Sequence, residues 1–292
     1  MTLTKVLGRH RWEFALIGIS AVWGSTFVLV KDAVERIPPF QYLALRFACA
    51  TAALAIFGAF RGLRRTEATA GVAIGIALFG GYALQTVGLQ YTSASNAGFI
   101  TGLFVVITPL LGAVILRRLP SKASAAGVIL ATAGLVLLAM PSGMRLGGGD
   151  ALEVLCAISF AVHILLLARL APGRSALRIA GVQIATTAAA SAIWSIGAER
   201  APLPGADGTV WFAIAATGLL ASALGFVVQT RAQQIIPPTR TAVILTAEPV
   251  FAGIFGFLIA GDRLGVRGYA GAALIVLGIL VAETLAPPTE EI

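Results

Sequence analysis

Glu248 stands in an otherwise apolar stretch, "TAVILTAEPVFAGIF", with Pro249 directly after it. A carboxylate at mid-membrane depth costs roughly 2.5–3.5 kcal/mol on insertion scales. It must therefore carry a proton, find a partner or meet a wet cavity. Glu248 is read as the sole carboxylate deep in an apolar run and as the candidate for proton coupling. The bland alternative is a structural partner for a backbone donor or for Arg46. Gln85 and Gln229 are buried amides that also need partners, either a substrate or a neighbouring helix. Tyr82 and Phe226 each lie three residues earlier, on the same helical face. They wall a substrate cavity or simply pack.

Trp23, Ser25 and Thr26 fall in "AVWGSTFVLVK", where small and hydroxyl residues replace the usual Leu or Val. Such residues let helices approach closely or line a polar cavity. His163 is either a cavity residue or an interhelical hydrogen-bond partner, and Asn96 is a helix cap or a ligand. Thr101 and Thr246 complete the candidate substrate-binding set. Pro109 and Pro249 each remove a helical N–H and bend the chain, as static kinks or as hinges. Arg46 lies one or two turns into an apolar run. The reading adopted for it is snorkelling to the outer interface; contact with a substrate carboxylate is the alternative.

Other chemistries find little support. A phosphate-binding loop needs a Gly-Lys step, and none occurs. Two histidines and the separated Cys49 and Cys156 offer no metal-ligand cluster, so no metal and no cofactor are expected. "GGGD" at 147–150 matches a Gly-x-Gly-Asp pattern of intramembrane aspartyl proteases. That chemistry needs a second aspartate in the same site, whereas Asp32, Asp207 and Asp262 fall in loops or at span ends. The protein is not expected to be an enzyme.

These residues must be positioned by membrane helices. Of 292 residues, 58% are hydrophobic and 12% charged, against about 25% charged in a soluble domain. The formal charge of +8 sits in short clusters between apolar runs and does not indicate a nucleic-acid partner. Runs long enough to span a bilayer lie near 14–31, 40–60, 69–90, 94–116, 122–141, 151–170, 177–198, 209–230, 240–260 and 266–286. One set of connections carries 14 Lys and Arg residues, Lys5, Arg9, Arg11, Arg61, Arg64, Arg65, Arg117, Arg118, Lys122, Arg169, Arg174, Arg178, Arg231 and Arg240, and the other carries 6, Lys31, Arg36, Arg145, Arg200, Arg263 and Arg267. By the positive-inside rule both termini are expected in the cytoplasm.

The chain repeats itself. An offset of 144 lays "GYALQTVGLQ" (81–90) on "GFVVQTRAQQ" (225–234), and the glycines Gly127 and Gly134 on Gly271 and Gly278. Near the front the offset is 140, which sets Trp23 against His163. The expected division is 1–141 for the first five-helix repeat, 142–150 for a linker and 151–292 for the second repeat. Five spans per copy is an odd number, so the second copy is inverted. Inverted repeats place a substrate site near the bilayer midplane where the halves meet.

Together "AVWGSTFVLVK", "GLQYTSASNAGFITGLFVVITPLL", "PPTRTAVILTAEPVFAGIFGFLIAGDRL" and "GYAGAALIVLGILV" resemble the drug/metabolite transporter superfamily, specifically its ten-span EamA-type exporters. The resemblance implies an all-α polytopic membrane protein. Spans 1, 3, 4, 6, 8 and 9 would surround a central cavity, with spans 5 and 10 peripheral. It further implies export of amino acids or related small metabolites, including aromatic ones, by alternating access. A passive facilitator or channel and a multidrug exporter are the rival readings. The expected setting is a bacterial inner membrane, with a small-molecule substrate, the lipid bilayer as surroundings and a monomeric state.

Overall fold

Ten helical rods follow one another with short connections, as ten apolar runs require. The computed structural model describes residues 3–92, 94–115, 119–139, 147–205, 207–255, 258 and 265–285, with side chains except at 3–10, 27, 28, 94–96, 99, 138 and 139. The first rods are α1 (Leu3–Arg36), α2 (Pro39–Ile56) and α3 (Arg65–Gly88). The fourth is split into α4 (Ala94–Gly102) and α5 (Phe104–Ile115), and α6 (Lys122–Ala139) ends the first half. The second half runs through α7 (Gly148–Leu170) and α8 (Ala176–Trp194), which ends in a π-helical turn at Ser195–Glu199. Rod eight joins α9 (Gly208–Ala216), a π-helical stretch Thr217–Leu224, and α10 (Gly225–Gln233). Rod nine is again split, into α11 (Pro238–Leu245) and α12 (Ala247–Phe255), and α13 (Val266–Thr284) is the tenth. No strand occurs among the described residues.

Local chemistry explains where the rods begin. Pro39 and Pro238 occupy first helical positions, where the missing proline N–H is needed least. Glu67 accepts the Arg64 N–H, and Ser175 and Asp207 cap α8 and α9. At Gly147 the "GGGD" stretch is a helix start, because the Asp150 carboxylate accepts the Gly147 N–H at 2.6 Å. The expected linker therefore already contains the first turn of α7; residues 140–146 lie outside the described ones. So do the loop cations Arg117, Arg118, Arg145 and Arg263 used in the orientation argument.

Six helices are long and apolar enough to cross a bilayer by length and composition, and α1 adds a seventh if its limbs, bent by 40° between Thr26 and Leu29, count as one. The remaining rods are shorter or broken. Ile76, Val114, Ile129, Ile193 and Leu220 are large apolar side chains left exposed on the outside of the bundle. Lipid tails satisfy such a surface and water does not.

Glycine seams bring the rods together. A Cβ on Gly127 would lie 2.8 Å from the Gly278 carbonyl oxygen, and one on Gly134 would lie 2.5 Å from that of Gly271. α6 and α13 thus touch backbone to backbone, away from the centre, as the expected outer position of rods 5 and 10 requires. Ion pairs then tie the halves. Arg240, counted above among loop cations, is in fact buried and bonds both Glu283 and Glu13. Arg178 meets Glu67 at 3.2 Å. At the opposite end Glu199 accepts the Phe40 and Gln41 N–H groups at 2.8 Å each, satisfying two of the orphan donors at the start of α2.

Candidate functional site

Between the two halves lies a cavity of ≈ 80 Å³, enough for several waters. Its walls come from α1, α2, α3, α4, α5, α7, α10, α11 and α12. α6 and α13 contribute nothing among the described residues. Rod two is the addition to the expected set of lining rods, and it brings Arg46.

The lining follows the repeat. Tyr82 and Phe226, and Gln85 and Gln229, are related by the offset of 144 and all face the cavity. So do Trp23 and His163, related by 140. The offset of 144 also pairs Thr101 with Leu245 and Phe104 with Glu248, and these four line it too. The last two pairs are unlike in chemistry. The cavity is therefore two-fold in outline and lopsided in polarity, with the carboxylate on one side only.

Aromatic rings make the apolar wall. Trp23 and Phe226 have centroids 5.6 Å apart, and Tyr82 meets Phe160 edge-on at 5.4 Å. Trp23 Nε1 donates to the Ala221 carbonyl at 2.8 Å. That carbonyl belongs to the π-helical stretch, whose loosened ladder offers groups to neighbours. Thr26 lines the cavity, but its hydroxyl donates to the Trp23 carbonyl at 2.9 Å, while the Ser25 hydroxyl donates to Val22 at 2.8 Å. Back-bonding of this kind often accompanies helix bends, and the first limb of α1 ends at Thr26. Ser25 is not on the cavity wall. Gly24 is the contact point with rod nine: a Cβ there would lie 2.6 Å from the Glu248 carbonyl oxygen.

His163 faces the cavity while its Nε2 lies 2.8 Å from Gln183 Oε1. Gln183 Nε2 in turn donates to Thr230 at 3.0 Å. Both open readings of this histidine are thus realised in part. Gln85 Nε2 approaches the Thr101 hydroxyl at 3.4 Å. Gln229 Nε2 donates to Gln233 at 3.2 Å, and its Oε1 is buried without a partner among the described residues. Thr246 is off the wall; its hydroxyl bonds the Val243 carbonyl at the break between α11 and α12. The Asn96 side chain lies outside the described residues.

The structure corrects three expectations. Glu153, six residues into α7, is a second deep carboxylate, fully buried. Its Oε2 accepts the Thr101 hydroxyl at 2.8 Å, and Oε1 has no partner among the described residues. Its closeness to a rod end hid it. Gly88 makes room for it, since a Cβ there would lie 2.7 Å from Glu153 Oε1. The second correction concerns the prolines. Rods four and nine break at Leu103 and Thr246, and neither proline is the break itself. Pro249 frees the Leu245 carbonyl, and the interruption falls there; Pro109 lies inside α5. The third is Arg46, which does not snorkel. It is 3% exposed, stacks over the Tyr82 ring with its guanidinium carbon 4.8 Å from the centroid, and donates through Nε to Ser222 at 2.8 Å. A lone arginine inside an apolar run was the available signal, and burial depth could not be read from it.

The Asp150 oxygens accept from Gly147 N and, at 2.6 Å, from the Thr92 hydroxyl. That is the geometry of a helix cap, with no second aspartate beside it among the described residues. No group of His, Cys, Asp and Glu side chains able to hold a metal occurs among those residues either.

Comparison with known proteins fits this architecture. The profile of the EamA-like transporter family matches twice, over residues 10–140 and 147–284. An uncharacterized transporter of Archaeoglobus fulgidus is 31% identical over 92% of this chain and 84% of its own length. The uncharacterized transporter YyaM of Bacillus subtilis is 28% identical over 91% and 92%. A crystal structure of a protein with 23% identity superposes with a TM-score of 0.78 over 96% of this chain and 99% of that one, which shows a shared fold.

Proposed function

Because the chain belongs to the EamA-like transporter family, we propose that it is a secondary transporter exporting amino acids or closely related metabolites. Those with aromatic or hydrophobic side chains would fit best. The observation that carries the reading is the aromatic wall of Trp23, Tyr82, Phe160 and Phe226 around a cavity that both repeats line. Side chains of this kind hold an apolar body, while Gln85, Gln229 and Thr101 offer polar contacts to one end. Alternating access would rock the two five-helix halves about this cavity, the usual mode of inverted-repeat carriers, with the breaks at Leu103 and Thr246 as flexing points and Pro109 and Pro249 beside them. Glu248 is the proposed coupling group. The distribution of Lys and Arg supports an inner-membrane protein with cytoplasmic termini.

Purified protein in liposomes, loaded with one unlabelled amino acid and given labelled amino acid outside, tests this reading. A carrier accelerates uptake by exchange, and a channel-like facilitator does not. Absence of exchange with every amino acid would remove the substrate assignment. Transport by Glu248→Gln with the wild-type pH dependence would remove Glu248 from coupling.

A further inference from the structure

The cavity's charged side chains, among the described residues, are Arg46 and Glu248, and they do not form an ion pair. The two groups stand on one small cavity without direct contact and act on each other only through space. Arg46 is anchored but not spent. A guanidinium offers five N–H donors. Nε goes to Ser222, one Nη2 hydrogen goes to the Tyr82 hydroxyl at 3.4 Å, and Nη1 has no acceptor among the described residues. Rings beneath the plane, Tyr82 and Phe47 at 4.8 and 5.2 Å from the guanidinium carbon, hold its orientation. A Cβ on Gly218 would lie 2.9 Å from the Arg46 carbonyl oxygen, so α2 is fixed tightly against the π-helical stretch that supplies Ser222. Keeping an arginine buried in a membrane bundle is costly. A planar fork with free donors facing a cavity is matched by a carboxylate. Across the cavity stands Glu248, an acceptor suited to an ammonium group.

We propose that Arg46 binds the carboxylate of a zwitterionic substrate in this cavity, so that a free carboxylate is required for transport. The inference rests on the amino-acid reading above and gives it a recognition rule. Arg46 acts as a specificity-determining residue. Its partner Ser222 and the Tyr82 ring position it.

The test compares matched analogues in the liposome exchange assay: phenylalanine and leucine, their carboxamides, and the corresponding amines without the carboxyl group. Wild-type protein exchanges the free amino acids and discriminates against carboxamides and amines by about 10- to 100-fold, the range of a hydrogen-bonded charged contact. In Arg46→Gln, which keeps a donor toward Ser222, this preference falls to within about threefold. An undiminished preference in that variant, or equal wild-type exchange of acid and carboxamide, overturns the proposal. Arg46→Lys covers the case in which the glutamine variant does not fold. It keeps the charge without the fork, so the preference for acid remains while the half-saturating concentration rises about tenfold. Unchanged saturation in Arg46→Lys counts against the proposal. If wild-type protein moves no amino acid but exchanges phenylpropionate, and Arg46→Gln abolishes it, the amino-acid reading falls and the carboxylate anchor stands. If it moves amines alone, both fall.

Discussion

At the scale of single residues, close approach explains the most. Gly24 lies against the rod-nine backbone at Glu248, so Gly24→Ala must push α1 off α12. Overpacking of this kind costs about 1–3 kcal/mol, and the purified variant should melt several degrees lower and lose exchange. An unchanged melting temperature would show that the helices can separate freely. Glu153 gives a sharper comparison. Glu153→Ala leaves the Thr101 donor facing a void, a loss of about 1–3 kcal/mol for an unpaired buried group. Glu153→Gln keeps an acceptor and should cost much less. Equal melting temperatures for the two variants would mean that the Thr101 bond contributes nothing.

Elements are where sequence and structure agree most closely. Apolar length alone located all ten rods, because runs of about 20 apolar residues suit a spanning helix, whereas a spanning strand needs only about ten. The Gln-Thr repeat marked two equivalent faces. What could not be read was local deviation. The π-helical stretch at Thr217–Leu224 leaves no mark in residue type, yet it supplies Ser222 to Arg46 and a carbonyl to Trp23. Likewise Ser25 and Thr26 looked alike, and only the turn of α1 separates one from the cavity. Asp207 belongs to this scale too. The Val210 N–H first, then the Thr209 N–H and Arg36, hold its carboxyl below the ordinary range. A carboxyl depressed by folding stabilises above its unfolded value and loses that contribution as pH falls through its folded one. Wild-type melting temperature should therefore drop on acidification below the ordinary carboxylate range by more than that of Asp207→Asn. Parallel curves would remove this cap from the account.

For the whole molecule, duplication sets the outline and the departures from it set the chemistry. Paired aromatics and amides could be inferred from the offset of 144, but Arg46 has no counterpart in the other half among the lining residues. Its role came from three-dimensional burial. The halves should depend on their outer seam as a unit. Gly134→Val places branched carbon atoms where the Gly271 carbonyl stands, and it should destabilise the folded protein by about 1–3 kcal/mol or more. It should also depress exchange of every substrate equally, since it is remote from the cavity. A selective change in substrate preference would contradict that separation.

The seam between α6 and α13 also carries history. Gly127 and Gly271 are the same position in the two copies, as are Gly134 and Gly278. Gly127 meets Gly278, and Gly134 meets Gly271. Each position thus touches the other position of the opposite copy, the self-complementary pattern of a two-fold homodimer contact. A single five-helix ancestor could have used this surface to pair with itself across a two-fold axis before its gene was doubled. Fusion then freed the two copies to differ, and only afterwards could one side of the shared cavity hold a carboxylate where the other holds a phenyl ring.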